Sequence, residues 1–130
     1  MGYYTRFKMT IVDKDGVQVD REHPAFKTIA TEFARIWDGK DFNPENYAYH
    51  YDRLDTFFED MPEYKWYDHD RDMTLLAARF PEFKFALEGE GEEKSDWWVH
   101  WWEDGMFAGK SCAKVIEPDF PDWSDGLYFA

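Results

Sequence analysis

Leu87-Glu88-Gly89-Glu90-Gly91-Glu92-Glu93, followed after two residues by Asp96-Trp97-Trp98-Val99-His100-Trp101-Trp102, sets an acidic, glycine-loosened turn between two aromatic-rich segments. Upstream of the turn, Phe83, Phe85 and Leu87 alternate with Lys84, Ala86 and Glu88, the period of two that puts successive side chains on opposite faces of a strand. Downstream, Glu103-Asp104-Gly105 has the composition of a tight turn and leads into a third segment, Met106 to Ile116. Three strands joined by short turns predict an antiparallel meander.

Before the meander the period changes. Met73, Leu76, Ala77 and Phe80 recur at i, i+3, i+4 and i+7, which predicts an amphipathic helix. Pro81 stops it, and Asp68 or Asp70 supplies an N-cap. Tyr64-Lys65-Trp66-Tyr67 ahead of it reads as a short strand. A second helix follows Pro24, with Phe26, Ile29, Ala30, Phe33 and Trp37 on one stripe and Gly39 just past its end. Tyr3 to Val12 alternates, with Thr5, Phe7, Met9 and Ile11 on one face, and Asp13-Lys14-Asp15-Gly16 ends it as a turn. Asp38 to Asp60 is the least periodic part. There Tyr47, Tyr49 and Tyr51 alternate and suggest a short strand, while Phe57 and Phe58 fit no period.

Each helix has one apolar stripe to bury, so the order predicts an α+β fold: two helices on one face of a mainly antiparallel sheet, a ferredoxin-like relative ending in a three-stranded meander. Residues 1–117 are read as a single domain. Residues 118–130, with Pro118, Pro121, Phe120, Trp123, Tyr128 and Phe129, are read as an acidic, aromatic tail.

The chain has 130 residues, 44% hydrophobic and 21% aromatic, enough apolar material for a core without staples. Its charge is the outlier: 28 acidic against 15 basic residues give −13 at neutral pH. That sign repels nucleic acid and anionic membranes over a screening length of about 8–10 Å, and a direct nucleic-acid binder needs a basic face that is missing here. A basic protein partner suits the charge. Cys112 is the single cysteine, so no intrachain disulfide forms, and in its Ala/Val setting it reads as a small core residue. With no apolar leader and no apolar run near the roughly 20 residues of a membrane span, a soluble, cytoplasmic protein is expected.

No catalytic signature stands out. Asp68-His69-Asp70-Arg71-Asp72 opens like a calcium loop, but Met73 stands where glycine is needed and Arg79 where the bidentate glutamate belongs. Acids in a helix's first turn are also what the helix dipole favours, so capping is preferred. The glycines at 89 and 91 are flanked by carboxylates and not by a cation, which disfavours phosphate. His23, His50, His69 and His100 stand at no metal spacing from one another; His50 beside Asp52, or His100 beside Glu103, is the nearest approach to an acid–base pair. No metal, cofactor or catalytic residue is assigned.

Two tryptophans fall on each face of the Asp96–Trp102 segment, so one pair belongs to the core and the other needs a cover. The residues that fit partner binding are Glu88, Glu90, Glu92, Glu93 and Asp96 for charge, with Trp98 and Trp102 as candidate anchors. Two rival classes remain: a small hydrolase using paired carboxylates on a saccharide or nucleotide, and a virion structural or assembly protein.

Lys65-Trp66-Tyr67-Asp68-His69, Asp72-Met73, Phe80-Pro81, Phe85, Leu87, Gly89-Glu90-Gly91-Glu92-Glu93, Asp96, Trp98 and Asp104-Gly105, with the opening Gly2-Tyr3-Tyr4-Thr5, carry a resemblance. In these residues the chain resembles small acidic accessory proteins of tailed phages and prophages. The likeness covers about the first ten residues and Lys65 to Gly105. It brings no catalytic residues with it. It implies a bacterial host and an inhibitor of host defence, such as an anti-CRISPR protein, acting by protein binding and in some cases by imitating DNA. Duplex DNA carries one negative charge per about 1.7 Å of axis, a spacing that carboxylates on a stiff sheet match.

Overall fold

The computed structural model describes residues 4–92 and 96–111. The N-terminal alternation forms β1 (Thr5–Val12), with Phe7, Met9 and Ile11 buried on one face. The turn after it is held by the Asp13 carboxylate, which accepts the backbone N–H groups of Asp15 and Val17 at 2.9 Å each, and Gly16 takes the left-handed φ of 82°. Helix α1 (Phe26–Asp38) follows, burying Phe26, Ile29, Ala30 and Phe33 at the expected helical spacing. It ends at Gly39, whose φ is 55°.

After a 3₁₀ turn (Gly39–Asp41) comes α2 (Tyr47–Glu59), a helix where the tyrosine alternation suggested a strand. The residues it buries are His50, Leu54, Phe57 and Phe58, spaced i, i+4, i+7 and i+8. Burial thus selects the helical period, and Tyr47 and Tyr49 are left half-exposed. The fold therefore has three helices and not two. Next come β2 (Glu63–Tyr64), only two residues long, and α3 (His69–Arg79). Asp68 stands at the N-cap of α3 but makes no side-chain capping bond; Asp70 and Asp72 occupy the first turn.

The meander forms as expected: β3 (Lys84–Glu90), β4 (Trp97–Glu103) and β5 (Met106–Ser111). All strands pair antiparallel in the order β2-β1-β3-β4-β5, so the first long strand lies in the interior beside the meander. The α+β class stands. The expected end of the last strand, Cys112 and the 118–130 tail fall outside the described residues.

Register decides which aromatics face the helices. Phe7, Met9 and Ile11 pair with Gly89, Leu87 and Phe85, and these pair in turn with Trp98, His100 and Trp102. That face packs with the helices into one core, centred on Trp66 in the loop between β2 and α3. Its ring lies 4.8 Å from Trp37, 5.2 Å from Phe7, 5.5 Å from Phe57 and 5.8 Å from Phe33. Its indole N–H donates to the buried Asp72 carboxylate at 2.8 Å. The other sheet face has a smaller buried cluster of Ala86, Trp97, Val99 and Trp101. Both tryptophan pairs are thus largely buried, Trp98 less than the rest.

The helical assignment of α2 has a direct test. Phe57→Ala removes a fully buried ring and is expected to cost about 3–5 kcal/mol in urea unfolding. Tyr47→Ala, at a site 54% exposed, should change stability by about 0.5 kcal/mol or less. Comparable losses at both positions would contradict the helix.

Candidate functional site

The histidines that sequence reading kept apart are brought together by α3 and β4. Asp70 Oδ1 lies 2.9 Å from His69 Nδ1 and 2.7 Å from His100 Nδ1, a contact between residues 30 apart in sequence. The three side chains place one potential ligand atom each within 4.8 Å of one another. His100 does not pair with its neighbour Glu103, which bonds Lys84 at 3.2 Å. His50 does not pair with Asp52 either: it is buried against Phe42 at 4.9 Å, while Asp52 holds Arg21 at 2.6 Å.

The cluster rests on Trp98. Its ring stacks under His69 at 4.6 Å with a 21° tilt and lies 4.5 Å from His100. It reaches that position by lying across Gly89 towards Phe7, 6.1 Å away, along one cross-strand row of Phe7, Gly89 and Trp98. A Cβ on Gly89 would fall inside the indole ring. Here glycine is required by the approach of a neighbour, since only Gly16, Gly39 and Gly105 take positive φ among the described glycines.

The histidine rings are largely covered, with side chains 21% (His69) and 12% (His100) exposed, while Asp70 is 49% exposed and opens to solvent. Burial raises the Asp70 pKa, but the hydrogen bonds from His100 and then His69 outweigh it and hold the carboxyl well below its ordinary range. The cluster joins two clefts. One, of about 490 Å³, is lined by Asp70, Arg71, Thr74, Leu75, His100 and Phe107 together with Lys110. The other, of about 280 Å³, is lined by His69, Asp96, Trp97, Trp98 and His100. Asp70 is the one carboxylate among the described residues lining the larger cleft, where a paired-carboxylate hydrolase uses two.

The residues expected to bind a partner, most of them near the β3–β4 turn, differ in exposure. Glu88 is buried and accepts the Trp97 indole N–H at 2.8 Å. Trp102 is fully buried and donates its indole N–H to Thr74 Oγ1 at 3.0 Å, so no partner reaches it without unfolding the sheet. Trp98 serves as the floor of the histidine cluster. Glu90 reaches the surface but stands across from Arg6 on β1, as Glu88 does from Lys8. Glu92 is exposed and accepts the backbone N–H of Tyr4 at 2.7 Å; the Asp96 carbonyl closes the turn by accepting from Gly91 N at 2.7 Å. Glu93 lies outside the described residues.

No protein-family model matches the chain, nor does any curated protein or any solved structure. Among the described residues no helix is long and apolar enough to cross a membrane.

Two outcomes follow from this geometry. Gly89→Ala should destabilise the fold by about 1–3 kcal/mol in urea unfolding, because the indole must shift. Adding Trp98→Leu should relieve the clash, so that the double variant loses less than the sum of the singles; strict additivity would contradict the close approach. The Asp70 pKa is depressed in the folded state, so its stabilisation is full above the ordinary carboxylate pKa of about 4 and disappears as pH falls below that. Asp70→Asn should therefore flatten the acid limb of stability below about pH 4. A wild-type acid limb that overlays the variant's rules the interaction out.

Proposed function

We propose that the chain is a non-enzymatic acidic binding protein that occupies a basic, nucleic-acid-binding surface of another protein. In the bacterial setting that the resemblance implies, this is the action of an anti-defence inhibitor of anti-CRISPR type. The reading keeps the partner class inferred from the charge of −13 and moves the contact face.

The observation that carries it is at the start of α2. Tyr47 and Tyr49 are 54% and 50% exposed in the same stretch as Asp41 and Glu45, two exposed acids with no ion pair among the described residues, and Arg53 lies over the Tyr49 ring at 4.5 Å. Asp52, further along the helix, is exposed but held by Arg21 at 2.6 Å and adds no free charge to this surface. Aromatic rings that an approaching protein can desolvate, set among carboxylates that steer a cationic partner, are the two elements a tight and selective contact needs. The acids around the β3–β4 turn support this less well, because Arg6 and Lys8 on β1 stand opposite two of them.

The test is affinity capture from bacterial lysate with three baits: wild type, Asp41→Lys/Glu45→Lys, and Glu90→Lys/Glu92→Lys. The expected result is a nucleic-acid-binding protein that wild type retains, that added duplex DNA displaces, and that the first double variant loses by about tenfold or more while the second keeps it. Capture that ignores both DNA and charge reversal would sink the reading. Loss with the second variant alone would return the contact to the turn.

A further inference from the structure

We propose that His69, Asp70 and His100 form a binding site for one divalent transition-metal ion, which fastens the start of α3 to β4. The inference is independent of the partner reading, since it concerns a different flank of the helical layer.

The donor set is two imidazole nitrogens and one carboxylate, the borderline set that suits Zn²⁺ and its neighbours rather than calcium or magnesium, which take oxygen. Two ring nitrogens converge on a single carboxylate oxygen at 2.7 and 2.9 Å. Ligands about 2.1 Å from a tetrahedral or octahedral ion stand about 3.0–3.5 Å apart, so the two short contacts open slightly while the widest separation, within 4.8 Å here, closes by side-chain rotation as the ion enters. A neutral imidazole accommodates the ion by moving its proton from Nδ1 to Nε2, which frees the Nδ1 lone pair. The ion then replaces the two bridging hydrogens, and Asp70 remains the anionic ligand between the rings.

Pre-organisation favours the site. His69 and Asp70 are fixed by the first turn of α3, His100 by an interior strand, and both rings lean on Trp98 at 4.6 and 4.5 Å. Three protein ligands leave further positions open, and the half-exposed Asp70 borders the cleft of about 490 Å³, so water or a small anion can complete the coordination. Two features oppose a cation. The N-terminal end of α3 carries partial positive charge, and Lys110 stands across from His100. Lys110 is exposed and free to swing into water, and Arg71 is drawn aside by Asp72 at 3.0 Å. The other histidines offer no rival site: His23 is paired with Asp13 at 2.8 Å, and His50 is buried in the α2 interface.

The test is titration of the metal-free full-length chain with Zn²⁺ against a chromophoric chelator, alongside Asp70→Asn and His100→Gln, with circular dichroism to check folding. The expected result is one zinc per chain, a thermal midpoint raised by several degrees on zinc addition, and at least about tenfold weaker binding in each variant. Co²⁺ should give visible absorption in wild type that both variants lose. Wild type that binds zinc no more tightly than either variant would overturn the proposal. Should a variant misfold, imidazole resonances of wild type decide the matter: shifts at His69 and His100 on adding zinc support the site, and unmoved resonances reject it.

Discussion

The Trp66 indole N–H to the Asp72 carboxylate, 2.8 Å long and buried, is the contact on which the rest depends. Asp72 is 5% exposed, and an ionised carboxylate there would cost several kcal/mol without donors. Trp66 supplies one donor and Arg71 another at 3.0 Å. The bond fixes a large ring at the junction of β1, α1 and α2, and at the same time fixes the azimuth of the first turn of α3. With Asp72 turned inward to Trp66, His69 and Asp70 are left to face β4. The histidine cluster is thus a consequence of core packing, and the same indole stands 6.2 Å from the His69 ring.

Charge is distributed by similar demands. Many of the chain's acids serve the fold: Asp13 organises a turn, Asp38 holds Arg53, and Glu32 bridges Arg35 and Arg79 at 2.9 and 2.8 Å to join α1 to α3. Glu88 is spent inside the second cluster on an indole N–H. The raw surplus therefore overstates the negative surface that a partner meets. What counts is the subset that is both exposed and uncompensated, and in the Asp41–Tyr49 stretch that subset coincides with exposed aromatic rings.

The long strands and two of the helices were legible because their apolar residues obey one period without competition, whereas the short strand expected over Tyr64–Tyr67 is only Glu63–Tyr64, since Trp66 leaves the sheet to fill the core. Phe7, Met9 and Ile11 admit only the strand, and Phe26, Ile29, Ala30 and Phe33 only the helix. In α2 the signal was split. Tyrosine is apolar enough to register as a strand pattern at 47, 49 and 51, while one member of the true buried stripe, His50, is polar and was not counted. The cluster at His69 and His100 was invisible for another reason: it depends on how α3 is set against β4, a tertiary relation between residues 30 apart. The one available hint was Gly89 facing a tryptophan-rich strand, since a glycine inside a strand often marks a close approach.

The two surfaces are placed by the same layer of helices. Helix α2 packs over β1, α3 packs over β4 and β5, and α1 lies against both helices. The acid–aromatic stretch belongs to the first flank and the histidine cluster to the second. The two flanks are joined by α1, by the Glu32–Arg79 bridge, whose arginine is 44% exposed and therefore weakly coupling, and by Trp66, whose ring lies 5.5 Å from Phe57 of α2 and 6.2 Å from His69. A close-packed core thus links the proposed acid–aromatic contact to the proposed metal site, and a ligand at either couples to the other only where that packing has a second arrangement to shift into.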